Sequence, residues 1–170
     1  MAAGDVKIEY AASSAITITL ASLATDADLA AGRESTLADN TTNKYLDYLI
    51  AGKITTGTSP TVSKAIYVFV AGLMEDSTWP SVLDGTDSDE DFVSANVRNN
   101  VCKPVAVMVV TATSDATYYF GPVSVASCFG GVVPKKFVVF VVHDTAVNLN
   151  STAENHAIYV TPVYSTVAQS

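Results

Sequence analysis

The chain has 170 residues, of which 49% are hydrophobic and only 15% charged, with a net charge of −8. That length suits one domain with a core large enough to need no staples, and the expectation is a single domain over residues 1–170. The acidic balance repels phosphate backbones, which argues against direct nucleic-acid binding. So low a charged share means that much surface must be hidden, in a core or against a partner.

The first residues, MAAGDVKIEYAASSAITITL, lack the basic start and unbroken apolar stretch of a signal peptide. The mature protein is therefore expected to begin near Met1. No apolar run reaches the roughly 20 residues that span a bilayer, so no membrane span is expected.

In chain order, short runs rich in Val, Ile, Thr, Tyr and Phe with a period near two predict strands. They lie at Ile16–Leu23, Lys44–Thr55, Ala65–Leu73, Val105–Thr113, Thr117–Ser127, Phe137–His143 and His156–Thr166, with a further short strand at Val6–Tyr10. Residues 1–5 and 167–170 read as loose arms. Turn formers separate the runs: Gly57 to Pro60, Asp84–Gly85, Ser114–Asp115, Gly130 to Pro134 and Asn148 to Ser151.

Only Ser114, Asp115 and Ala116 part the fourth and fifth runs, which predicts a hairpin between them and sequential antiparallel pairing. Helical signals are weak: a turn within Asp26–Asp39, and one short helix within Asp89–Asn99 capped by Ser88 or Asp89. With no helical layer to cover a sheet, the strands must pack sheet on sheet. The expected fold is all-β, a jelly-roll-like antiparallel two-sheet sandwich of seven to eight strands.

Chemistry is sparse. The stretch from Glu75 to Asp91 holds seven carboxylates and no basic residue. Within it Asp84, Asp87, Asp89 and Asp91 could gather around calcium, although the spacing is not that of an EF-hand; an ordinary solvated loop is the competing and preferred reading. Trp79, beside Pro80, could stack on a sugar, anchor a partner or plug one end of the sandwich.

His143 and His156, with Asp144 and Glu154 nearby, could be neighbours across a connection, but strand-end histidines commonly satisfy loop carbonyls and no third ligand is fixed. Nucleophile and phosphate-loop motifs are absent, so no catalytic residue and no cofactor is expected. Cys102 and Cys128 belong to no metal spacing and are expected to be buried free thiols. The sequons at Asn40 and Asn150 are read as chance matches.

Four segments, DNTTNKYLDYLIAGKITTGTSPTVSKAIYVFV, WPSVLDGTDSDEDF, TYYFGPVSVASCFGGVVPKKFVVFVVHDTAVNLNST and NHAIYVTPVYSTV, together resemble a family of small virion proteins of tailed bacteriophages that decorate or cement the head. The resemblance implies a β-sandwich subunit, present in many copies on the outer surface of the capsid. Its partner would be the major capsid protein, and it would form a homo-oligomer, a trimer being favoured. It transfers no catalytic residue. The aromatic residues from which interface anchors are expected are Tyr45, Tyr48, Tyr67, Trp79, Tyr118, Tyr119, Phe120, Tyr159 and Tyr164, roughly half of which should face the core instead. The competing function is a tail- or fibre-associated jelly roll that binds a host glycan through the loop from Trp79 to Asp91.

Overall fold

A computed structural model describes residues 5–167, and within them the chain forms eleven strands and two short α-helices. The strands are β1 (Val6–Tyr10), β2 (Ser14–Ala15), β3 (Ala31–Glu34), β4 (Ala38–Asp39), β5 (Asp47–Thr55), β6 (Ala65–Gly72), β7 (Asp89–Asp91), β8 (Lys103–Val109), β9 (Thr117–Ser124), β10 (Lys136–His143) and β11 (Ala157–Val167). Helix α1 spans Ala95–Val101 and α2 spans Val125–Cys128. None of the described helices is long and apolar enough to cross a membrane.

Two antiparallel sheets result. The first runs β1-β11-β5-β9, with β2 also on β11; the second runs β7-β3-β10-β6-β8, with β4 also on β10. Omitting the short β2, β4 and β7, the chain visits the sheets in the order first, second, first, second, second, first, second, first. That is the winding of a jelly roll, in which a folded-over ribbon places β1 against β11, β3 against β10, β5 against β9 and β6 against β8. The expected sandwich is present, with eleven strands in place of seven or eight because β2, β4 and β7 are only two or three residues long.

The predicted hairpin between Val105–Thr113 and Thr117–Ser127 does not form. β8 pairs with β6 and β9 with β5, in opposite sheets. Residues 110–116 cross between the sheets, with the Val110 amide on the Lys64 carbonyl and the Thr56 amide on the Ala116 carbonyl. Turn residues between two apolar runs look the same whether the chain folds back within one sheet or steps to the other.

The expected strand Ile16–Leu23 is likewise replaced, beyond β2, by an irregular crossing from the first sheet to the second. Its Ile16, Leu20 and Leu23 still point into the core, which is why the stretch alternates like a strand. Ser22, at φ 60°, turns it, and its backbone bonds go to scattered partners such as the Ile158 and Asn150 carbonyls. The Asp26–Asp39 stretch carries β3 and β4 besides its turn. The helix begins later than expected, at Ala95, where the Ser94 hydroxyl accepts from the Val97 amide, because Asp89–Asp91 is already committed to β3 as β7. Val167 ends a strand and is no part of a loose arm; the other expected arm residues, apart from Asp5, lie outside the described residues.

Between the sheets lies the main core, with Ile50, Ile54, Ile158 and Val160 of the first sheet against Ile66, Val68, Phe137, Val139 and Val141 of the second. A second core lies on the other side of the second sheet. There Phe69, Ala71, Val138, Phe140 and Val142 meet Leu83, Phe92 and Cys102, flanked by Trp79, Val97 and Val101. The stretches on either side of β7, from Met74 to Ser88 and from Phe92 to Cys102, helix included, thus form a third layer, contrary to the expectation that no helix would help to cover a sheet. Strand β10, KFVVFVVH, is buried on both faces, so it is apolar throughout and does not alternate.

Candidate functional site

The acidic segment is fastened to the second sheet by β3. Glu34 on that strand is fully buried, and its carboxylate accepts from the Asp84 amide at 3.0 Å and the Gly85 amide at 2.7 Å. The Glu34 amide donates to the Ser88 carbonyl and the Leu37 amide to the Gly85 carbonyl. Gly85 has φ +84°, and a Cβ there would stand 3.0 Å from the Trp79 ring, so glycine is required both for the turn and for the ring above it.

The four carboxylates proposed for calcium do not converge. Asp87 takes the Arg33 Nε at 2.6 Å and also the Thr19 amide and hydroxyl. Asp89 takes Arg33 Nη1 at 3.0 Å. Asp84 accepts from the amide and hydroxyl of Thr86, closing its own turn, and Asp91 is exposed. A different trio, Glu34, Asp84 and Glu90, brings oxygens within 4.8 Å of one another, but both Glu34 oxygens already hold backbone amides. Burial, with the nearby charges of Asp84 and Glu90, pushes the Glu34 carboxyl up to about 7 against the pull of those two amides. The trio is a clamp that holds loop to sheet.

The histidines are also structural. His143 is fully buried; its Nε2 donates to the Leu23 carbonyl at 3.1 Å and its Nδ1 lies 2.9 Å from the Thr145 hydroxyl. His156 donates from Nε2 to the Asn150 carbonyl at 2.8 Å and accepts the Thr55 amide at Nδ1. Both are held below the ordinary histidine range, chiefly by burial. Asp144 is occupied by Lys64 and the Ala65 amide. Among the described residues a groove of about 390 Å³ runs along β3 and β7 past Asp26, Arg33 and Asp89, and each of these side chains is bonded to backbone or to its neighbour.

Both cysteines are free. Cys102 is buried and its thiol pushed up to about 12 by desolvation, whereas Cys128 is only half-buried, short of the burial expected for it. Asn40 is buried as well, its side chain bridging both backbone groups of Tyr45.

Of the nine aromatic residues expected to supply anchors, most are internal. Tyr45, Tyr48 and Tyr164 build an aromatic cluster with Phe137 at one end of the sandwich, with Tyr48 5.2 Å from Phe137. Tyr67 packs beside Phe69 in the second core, and Phe120 is buried in the first. Tyr118 ties down the sheet-to-sheet crossing by accepting the Thr111 amide. Trp79 is half-buried over Gly85, covering the second sheet and not an end of the sandwich. Tyr119 and Tyr159 alone stand out, at 75% and 46% exposure.

These two share a surface. Tyr159 is opposite Ala51 and Tyr119 opposite Lys53 on β5, and paired residues project to the same side of a sheet, so both rings stand on the outer face of the first sheet. The register carries this face on through Thr161 and Val163 to Tyr10, Ile8 and Val6 of β1. At outward strand positions its charges are Asp47, which accepts the Ala126 amide, and Lys53. Among the described residues no second apolar cluster lies over it. Sequence reasoning missed as surface anchors Tyr10, Ile8 and Val6, which are 63%, 58% and 67% exposed; the sequence predicts a short strand there and does not say that it is uncovered.

Comparison with family models, curated proteins and solved structures finds no match for the chain.

Proposed function

We propose that the chain is a bacteriophage virion structural protein, a capsid decoration or cement protein that sits on the outer surface of the head, binds the major capsid protein and bridges capsomers. The observation that carries this reading is the outer face of the first sheet: broad, almost without charge, and studded with Tyr10, Tyr119 and Tyr159. Tyrosines offer large contact area at little entropic cost and dominate binding hot spots. No group with the geometry of a nucleophile or a general base competes with this face among the described residues, where both histidines and the buried Glu34 are engaged in holding loops. The glycan-binding alternative rests on the loop from Trp79 to Asp91 and is the weaker reading, because the Trp79 ring is spent on Gly85 and the second core.

The test is to mix the purified protein with expanded capsids that lack it, and to follow binding by sedimentation and electron microscopy. A regular array on the shell is the expected result. The double substitution Tyr119→Ala and Tyr159→Ala should weaken binding by at least tenfold, about 1.4 kcal/mol. Absence of binding, with the protein located on the tail, would move the assignment to the adhesion reading.

A further inference from the structure

The ladder between β1 and β11 identifies the free edge of β1. The Ala11 amide donates to the Pro162 carbonyl at 3.0 Å, and the register continues from Tyr10–Val163 to Val6–Val167. Bonded and non-bonded pairs alternate in an antiparallel ladder. Glu9 and Lys7 therefore bond to β11, while the amides and carbonyls of Val6, Ile8 and Tyr10 point away from it. Among the described residues no strand lies on that side.

This part of the molecule is also poorly covered. β5 pairs with β11 only as far as Val163, so β1 and the last residues of β11 project as a two-stranded ribbon. Val6, Ile8, Tyr10 and Val167 are all more than half exposed on one face of it. A two-stranded ribbon is marginal in water, and an unpaired edge is a template for another strand.

We propose that β1 pairs with β1 of a second copy about a two-fold axis at Ile8, fusing the two first sheets into one. The occupant is a second copy because VKIEY is its own antiparallel complement. With Ile8 opposite Ile8, Val6 falls opposite Tyr10 and Lys7 opposite Glu9, so apolar meets apolar and cation meets anion twice over. The same register makes Ile8–Ile8 and Val6–Tyr10 the bonded pairs, which are the residues whose amides already point outward. An isologous contact of this kind closes on itself. It yields dimers, where the sequence reading favoured a trimer, and it sets the two tyrosine-bearing outer faces side by side. The pairing stands apart from the capsid reading: capsid binding can fail with the dimer intact, and the reverse.

Light scattering during gel filtration of the full chain at tens of micromolar tests it. The unmodified chain should run at twice its mass of 17.8 kDa. Ile8→Pro removes an outward amide and spares the bonds to β11, since an edge strand accepts proline where its N–H faces solvent; it should run as a monomer that still melts cooperatively, at a temperature that no longer depends on protein concentration. Lys7→Glu and Glu9→Lys should each weaken the dimer by at least about tenfold through like charges, and an equimolar mixture of the two should restore it, because each Glu then faces a Lys. That mixing result is independent of how Ile8→Pro folds, and independent of the hydroxyl bonds from Tyr164 and Thr166 that Glu9→Lys gives up. A monomeric unmodified chain, or any oligomer that survives Ile8→Pro and both charge changes, overturns the proposal.

Discussion

The two sheets of this molecule are built alike and finished differently. The second sheet is buried on both sides: Phe137 on one face of β10 meets Tyr48, and Phe140 on the other meets Phe92 at 5.3 Å, edge to face. The layer over its outer face is held by polar contacts as well as apolar ones. Arg98, itself buried, lies 4.4 Å above the Phe69 ring and donates to the Leu29 carbonyl, and Glu34 grips the Asp84–Gly85 turn. The first sheet has one buried face and one that, among the described residues, carries no apolar layer, although Thr55 and Val163 on it are buried locally. The lesson is a division of labour in which stability is concentrated in the second sheet, leaving the outer face of the first available for contact.

The sharpest way to break that comparison is Phe140→Ala. The side chain has no exposure and is enclosed by β3, β6 and the overlying layer. Large-to-small changes at such sites cost about 3–5 kcal/mol through lost transfer energy and the cavity left behind. Chemical denaturation followed by tryptophan fluorescence should report it, since Trp79 belongs to the same cluster. A loss under about 1 kcal/mol would mean that the layer over the second sheet is loosely docked.

A smaller effect tests the clamp through pH. The folded state raises Glu34 from 4.5 to about 7 by burial, so it holds this proton more tightly than the unfolded chain does. Stability from Glu34 is therefore fully present below about pH 4.5 and is lost as pH rises to about 7, a change on the order of 2–3 kcal/mol. The two histidines work the other way. Their folded values lie below 6.5, so the unfolded state binds more protons and stability is lost as pH falls below that value. The opposing slopes should partly cancel in the unmodified chain. In Glu34→Gln only the histidine slope remains, and the urea midpoint should climb steadily from pH 5 to 6.5. Parallel curves for the two proteins would show that Glu34 is ionised throughout.

The parts of this design that could be read from the sequence are those with short-range patterns. β5, β6, β9, β10 and β11 fall within a few residues of their expected bounds because alternation and apolar runs are local properties. The layer over the second sheet was hidden because its anchors, Leu83, Phe92, Val97 and Val101, are scattered without any period. The acidic stretch suggested a cation, and the cations it has are side chains from far along the chain, the guanidinium of Arg33 at Asp87 and Asp89 and the ammonium of Lys135 at Asp76. That VKIEY would stand clear of the core could not be read either, since alternation states that the two faces differ and not that one of them is covered.

The smallest effect on stability belongs to the bare face. Tyr119 and Tyr159 stand on opposite sides of β5, with Ala51 and Lys53 between them, and neither ring fills a core. Removing each ring should change unfolding free energy by no more than about 0.5 kcal/mol, as surface substitutions away from caps and cavities do. The contrast with Phe140→Ala is the measurement: two aromatic truncations, nearly free on one sheet and severe on the other, compared under the same denaturant conditions. If Tyr159→Ala instead cost about 2 kcal/mol or more, its ring would already be covered in solution, by another copy or by residues of this chain. A protein-concentration series would separate the two, because a loss due to a broken contact between copies grows with concentration, whereas one arising within the chain does not.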